Sequence, residues 1–175
     1  MVLIVQKGDP VLRQIAHKVP IVDITTLAIK GVMKKMQQAL NEQEDGVAIA
    51  APQIGESLRI FIVSGKVLSK NYPDLEPNEV LPDDLICINP ELSKLSKDKK
   101  KVPEGCLSVR WLYGKVMRSN KATLKAYNEY GQVFTRGGSG LLAQIFQHET
   151  DHLDGVLFVD KAEDIEDVPP EDVQS

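Results

Sequence analysis

The sequence predicts an α+β fold of short strands in mixed or antiparallel sheets, packed around a central metal-binding helix, with a second helix near the N-terminus. Three observations carry this. The apolar runs are short and bounded by turn residues. Only two stretches have helical spacing, one early and one late. No segment repeats, and several short strands with one helix early and one late suggest α+β.

The elements follow in order. Leu3-Ile4-Val5 reads as a strand or extended arm, and Asp9-Pro10 as a turn. From Asp23, which can cap it, a helix carries Leu27, Met33, Met36 and Leu40 on one stripe and lysines and glutamines opposite. The two methionines are expected as core filler. Arg59–Val63 and Leu85–Ile88 read as strands, with Cys87 a small core residue. Between them, residues 64–84 hold Pro73, Pro77 and Pro82 and read as a lid or insertion that shapes access. The run Lys97, Lys99, Lys100 and Lys101 reads as a solvated loop. Residues 122–127 and 132–135 form a hairpin through Asn128–Gly131, and Gly137-Gly138-Ser139-Gly140 breaks the pattern before the late helix. Residues 156–159 read as a last strand.

The chain has 175 residues, 42% hydrophobic and 26% charged, enough for one core. Residues 1–160 are expected as a single catalytic domain and 161–175 as a solvated acidic tail with six acids and one base. The remainder carries 20 bases and 19 acids, so no basic stripe marks a nucleic-acid site. No apolar run reaches the roughly 20 residues of a membrane helix. The first ten residues lack a basic leader with a long apolar core, so a cytoplasmic protein is expected. Two cysteines make no disulfide framework.

Chemistry concentrates in His148-Glu149-Thr150-Asp151-His152. On a helix begun at Ser139 or Gly140 and ended by Gly155, residues four apart share a face, so His148 and His152 can bind one metal ion with Glu149 beside it. Leu141 and Ile145 lie on the same face, which is therefore the buried one. The third histidine, His17, reads as a surface residue. A catalytic site of this kind takes three protein ligands. Phe158 stands where a metalloprotease would place a third histidine. Asp160, Glu163 and Cys106 remain as candidates, Cys106 within Glu104-Gly105-Cys106-Leu107-Ser108. A third segment, Gly46-Val47-Ala48-Ile49-Ala50-Ala51-Pro52-Gln53, is small and apolar and ends in an amide.

Together and in this order, residues 46–53, 104–108 and 147–152 resemble the peptide deformylase family, as does the opening Gly8-Asp9-Pro10-Val11-Leu12-Arg13. The resemblance covers residues 3–160. It implies a hydrolase that removes the formyl group from the N-terminal formyl-methionine of new proteins and releases formate. It implies Cys106, His148 and His152 as metal ligands and Glu149 as general acid/base. It implies Gln53 and the Leu107 N–H as oxyanion donors, and Glu104, with Arg118, as a supporting group. Gly46, Val47, Leu141, Gln144 and Ile145 are the expected substrate-binding positions. The expected cofactor is one divalent ion, Fe²⁺ natively, with Zn²⁺, Ni²⁺ or Co²⁺ also fitting the donor set. Expected partners are formyl-methionyl nascent peptides, with transient ribosome association and no membrane. A non-catalytic relative and a metallopeptidase are the alternatives.

Two departures border the expected groove. Ala48 replaces a glycine, so its methyl group could narrow the groove or forbid a positive φ. Arg110-Trp111 replaces the Pro-Gly common in relatives, and Trp111 reads as either a packing residue or a groove wall.

Overall fold

The computed structural model describes residues 1–170, and they form an α+β fold. A short 3₁₀ turn at Pro10–Arg13 is capped by Asp9, whose side chain accepts from Val11 N. Helix α1 spans Leu27–Asn41. Its cap is Thr26 rather than Asp23. Residues 21–23 form a separate 3₁₀ turn, and the Asp23 carbonyl accepts from the Thr26 hydroxyl, so the chain turns once more before the helix begins.

Strands β1 (Ala48–Ala50), β2 (Ile60–Val63), β3 (Leu85–Ser93), β6 (Lys121–Tyr127) and β7 (Val133–Ser139) make one antiparallel sheet in the order β1-β2-β3-β6-β7. Strands β4 (Lys99–Gly105), β5 (Leu112–Ser119) and β8 (Glu163–Asp167) make a second in the order β4-β5-β8. Helix α3 (Leu141–Leu153) contacts strands of both sheets.

The larger sheet is covered on both faces at its centre. Alternate residues of β2 explain how: Phe61 and Val63 pack with Ala143, Phe146 and Leu153 of α3, while Ile60 and Ile62 pack with Met33, Met36 and Leu40 of α1. A strand buried on both faces reads as an unbroken apolar run, which is how residues 60–63 read. Cys87, fully buried on β3, belongs to the α3 side. A third cluster, Leu12, Val109, Val116, Leu157 and Phe158, lies under the small sheet.

Several expectations are corrected. Residues 137–139 continue β7 rather than break it, because their pairing with residues 121–123 of β6 supplies the backbone partners. Residues 156–159 are not a strand: Phe158–Asp160 is a 3₁₀ turn that the Asp160 carboxylate closes onto Leu157 N. Lys99–Lys101 lie on β4, exposed but paired with β5. The segment 64–84 contains a short helix, α2 (Gly65–Leu68), pinned by the Asp84 carboxylate on Gly65 N. A side chain at position 65 would meet the Pro82 carbonyl at 1.8 Å, so only glycine fits there. The acidic segment is not a free tail throughout. Residues 163–167 are exposed, yet their backbone adds β8 to β5, with Glu163 on Lys101 and Asp164 on Lys115. Residues 171–175 of the expected tail, including Glu171 and Asp172, lie outside the described residues. Among the described residues no helix is long and apolar enough to cross a membrane.

A buried ion network joins the small sheet to α3. Arg118 of β5 donates from Nε and Nη2 to the two Glu104 oxygens of β4 at 2.6 and 2.9 Å, and from Nη1 to Asp151 of α3 at 2.6 Å. Lys161 also reaches Asp151, at 2.8 Å. Burial opposes ionisation of Glu104, but hydrogen bonds from Arg118 and His148 outweigh it and hold its pKa at about 2.

Removing one partner of such a network leaves a charge buried and unpaired, which costs about 3–5 kcal/mol. Arg118→Met should lower the urea-unfolding free energy at pH 7 by that amount; a loss under about 1 kcal/mol would contradict the assignment. The pH dependence has a defined sign. Glu104 titrates near 4.5 in the unfolded chain and at about 2 in the fold, so its contribution is complete above pH 4.5 and lost as pH falls to 2. Unfolding curves of wild type and Glu104→Gln should therefore converge across that window.

Candidate active site

Helix α3 presents its histidines through the spacing the sequence displays. Gly140 caps it in a positive-φ conformation, and Gly155 follows its last turn at φ +74°. The His148 and His152 rings lie 4.9 Å apart between centroids. Cys106 approaches from the turn after β4, with Sγ 3.2 Å from His152 Nε2. One ligand atom from each of Cys106, His148 and His152 lies within 4.8 Å of the others, and this is the one such trio among the described residues.

Each member is held from behind. His148 Nδ1 meets Glu104 Oε2 at 2.9 Å, which leaves Nε2 as its free donor position. Phe158, at the position of a metalloprotease histidine, stacks on the His148 ring at 6.3 Å. The competing carboxylates are engaged elsewhere: Asp160 with Arg13 at 2.5 Å and Glu163 with Lys101. Cys106 Sγ accepts from Ser108 N and from the Gln53 amide at 3.4 and 3.5 Å. One thiol and two imidazoles converging at this range suit a borderline or soft divalent ion. His152 Nδ1 and Glu149 Oε2 are buried without a hydrogen-bond partner among the described residues.

The electrostatics follow from burial. Desolvation raises the Glu149 pKa to about 7. Burial lowers that of His152 well below the usual range. For His148 burial also opposes the charged ring, but its contacts with Cys106 and Glu104 prevail and hold its pKa well above normal.

Gln53 sits in a 3₁₀ turn directly after β1. Its Oε1 accepts from Ala50 N at 2.8 Å, which fixes the amide orientation, and Nε2 points to Ser108 Oγ at 3.2 Å and to Cys106. Leu107 is in the turn following Cys106, and its N–H donates to no protein acceptor among the described residues.

These groups open onto a cavity of about 330 Å³. Gly46, Val47, Leu141, Gln144 and Ile145 all line it. Gln144 is already engaged, donating to the Pro103 carbonyl at 2.8 Å. Ala48 lines the cavity in extended backbone, paired with Val63, so no positive φ is required there. Segment 64–84 does not line the cavity. Neither does Trp111, whose ring lies under the Arg110 guanidinium 5.1 Å from its centroid. His17 is exposed and is not a member of the trio.

Sequence reasoning did not anticipate Asp151 as an Arg118 partner, Ser108 beside Gln53, or Asp45 as the partner of Arg110 at the rim. Gln147 was visible only as a motif letter; its side chain bridges Ser119 N and O and ties α3 to the end of β5.

Comparison with known proteins agrees with this geometry. The sequence profile of the polypeptide deformylase family matches residues 1–168. A peptide deformylase of Carboxydothermus hydrogenoformans is 40% identical over 162 residues, 93% of each chain. One from Dehalococcoides mccartyi strain BAV1 is 35% identical over 167 residues, covering 94% of this chain and 89% of the other. Among solved structures, the class I type b peptide deformylase of Acinetobacter baumannii bound to Met-Ala-Ser superposes with a TM-score of 0.79 at 31% identity, over 92% of this chain and 99% of the other. That of Thermotoga maritima gives 0.77 at 31% identity, over 93% and 98%. A match along nearly the whole length, in both sequence and fold, places this chain in the polypeptide deformylase family.

Proposed function

We propose that Cys106, His148 and His152 hold one divalent metal ion, with α3 as the metal-binding helix, and that Glu149, Gln53 and the Leu107 N–H carry the deformylation of formyl-methionyl peptides. The observation that carries this reading is the convergence of the three donor atoms within 4.8 Å, at a cavity that Glu149 and Gln53 also line. When bound, a divalent ion there supplies Lewis-acid character and makes water a nucleophile near neutral pH.

The rest belongs to the chain's own groups. Glu149, with its pKa raised by burial to about 7, is poised between accepting and donating a proton. It takes the proton of the attacking water as the new C–O bond forms. It then gives that proton to the methionine nitrogen as the C–N bond breaks, so formate and a free amine leave. The Gln53 amide, oriented by Ala50, and the Leu107 N–H donate to the developing oxyanion. A neutral amide suits that place because it adds no second charge to a buried site. Val47, Leu141 and Ile145 offer an apolar wall to the methionine side chain, with Gly46 and Gln144 beside them. At position 46 a Cβ would meet Leu40 at 2.9 Å, so glycine keeps this wall close to α1.

The Acinetobacter relative solved with Met-Ala-Ser bound supports a peptide beginning with methionine as the ligand class. Fe²⁺ is the proposed native ion, with Zn²⁺, Ni²⁺ and Co²⁺ compatible with the same donors. Action on nascent chains places the protein in the cytoplasm, in transient contact with ribosomes.

Protein purified anaerobically with Fe²⁺ or Ni²⁺ should release formate from formyl-Met-Ala-Ser. Glu149→Ala should retain the metal and lose about 10²–10⁴ in turnover. No formate from a metal-loaded wild type, or a Glu149→Ala enzyme within tenfold of it, would contradict the reading. Gln53→Ala should lower turnover by about 10²–10³ with metal content intact, read by the same assay beside metal analysis.

A further inference from the structure

The cleft has two walls that are far apart in sequence. One is the turn between α1 and β1, residues 42–47, which contributes Asp45, Gly46 and Val47 to the lining. The other is the turn after β4, which contributes Cys106, Leu107, Val109 and Arg110. A single side chain connects them. Arg110 Nη1 and Nη2 donate to the two Asp45 oxygens at 2.5 and 3.1 Å, and Nη2 also to Gln43 Oε1 at 3.0 Å. This is the planar fork geometry that distinguishes guanidinium from ammonium. The hydrogen bond from Arg110 also holds the Asp45 carboxyl below its ordinary pKa range. The guanidinium does not float: the Trp111 ring supports one face, and Arg110 N reaches Gln6 Oε1, whose own amide holds the Leu107 carbonyl at 2.9 Å. Arg110 is 21% exposed and Asp45 58%, so the pair sits at the rim, and its two-pronged geometry rather than burial marks it off from a single-contact surface bridge. Arg110 and Trp111 thus build one device.

We propose that Arg110 is a positioning residue that straps the 43–47 wall to the 106–110 wall and so sets the width of the groove that receives the peptide. The inference rests on the deformylase reading of this cleft and adds a determinant of peptide binding to it. Trp111 serves the strap by stacking on the guanidinium. Asp45 is its anchor on the facing wall. The strap acts on how the peptide is held and leaves the proton transfer at Glu149 untouched, so its loss should appear in KM.

The test is formate release from formyl-Met-Ala-Ser by the metal-loaded full chain, beside hydrogen exchange of the 43–47 amides. Arg110→Met and Asp45→Asn should each raise KM about tenfold, with kcat within about twofold of wild type. The double variant should be no worse than the poorer single one, since both remove one interaction. Arg110→Lys should recover only part of the loss. Exchange of the 43–47 amides should quicken in Arg110→Met and Asp45→Asn alike. A KM that rises in Arg110→Met but not in Asp45→Asn would mean that Arg110 touches the peptide directly, and would overturn the strap. So would effects that multiply in the double variant, a kcat that falls with KM, or unchanged exchange. Wild type that releases no formate would instead defeat the deformylase reading, and the exchange data would still decide whether the strap exists.

Discussion

The buried pairing of Arg118 with Glu104 is the constraint on which the site depends. Arg118 and Glu104 belong to adjacent strands, and the β4–β5 register places Glu104 opposite Gly114. Positions 114 and 118 share a face of β5, so the long guanidinium reaches back along the sheet to the carboxylate. Its remaining nitrogen takes Asp151 from α3. With its charge satisfied, Glu104 can offer Oε2 to His148. One arginine therefore fixes the small sheet against the helix and, through Glu104, orients the His148 ring beside Cys106 and His152. The same residues contribute to stability and to the geometry of the site.

The second constraint is the path of the chain around the cavity. Gln53 and Cys106 come from segments that touch directly and that the N-terminal arm also joins, Val5 N bonding the Gln53 carbonyl and Lys7 N the Ser108 carbonyl. The N-terminal arm is thus a tie between the turn that carries the amide donor and the turn that carries the thiol. Arg13 completes the tie on the other side by pairing with Asp160, in the turn that follows α3. This gives the opening Gly8–Arg13 segment a physical role, although none of its side chains faces the reacting groups.

Much of the site was legible because its signals are local. Two histidines four apart with a glutamate between them declare a helix face, and Gly155 declares the helix end. Cys106 was not legible from spacing alone. Asp160 and Glu163 stood beside it as candidates until the family resemblance pointed to the thiol, and in the structure both acids pair with basic side chains. The buried strands were legible from their apolar runs, but residues 137–139 were not, since glycines in a strand owe their place to pairing with β6 rather than to propensity. Strand β8 was hidden for the opposite reason: five exposed residues, four of them acidic, look like a tail, and only the free edge of β5 gives their backbone a partner. The links Arg118–Asp151 and Arg110–Asp45 span 33 and 65 residues and leave no periodic trace in the sequence.

The central claim is that one thiol and two imidazoles from this chain hold the reactive ion. X-ray absorption at the metal edge of anaerobically loaded protein, Fe²⁺ or Ni²⁺ in turn, tests it most directly. The account predicts one sulfur scatterer and two imidazole nitrogens around the ion, with the sulfur lost in Cys106→Ala. A shell of oxygen and nitrogen alone, or a sulfur that persists in Cys106→Ala, would contradict it.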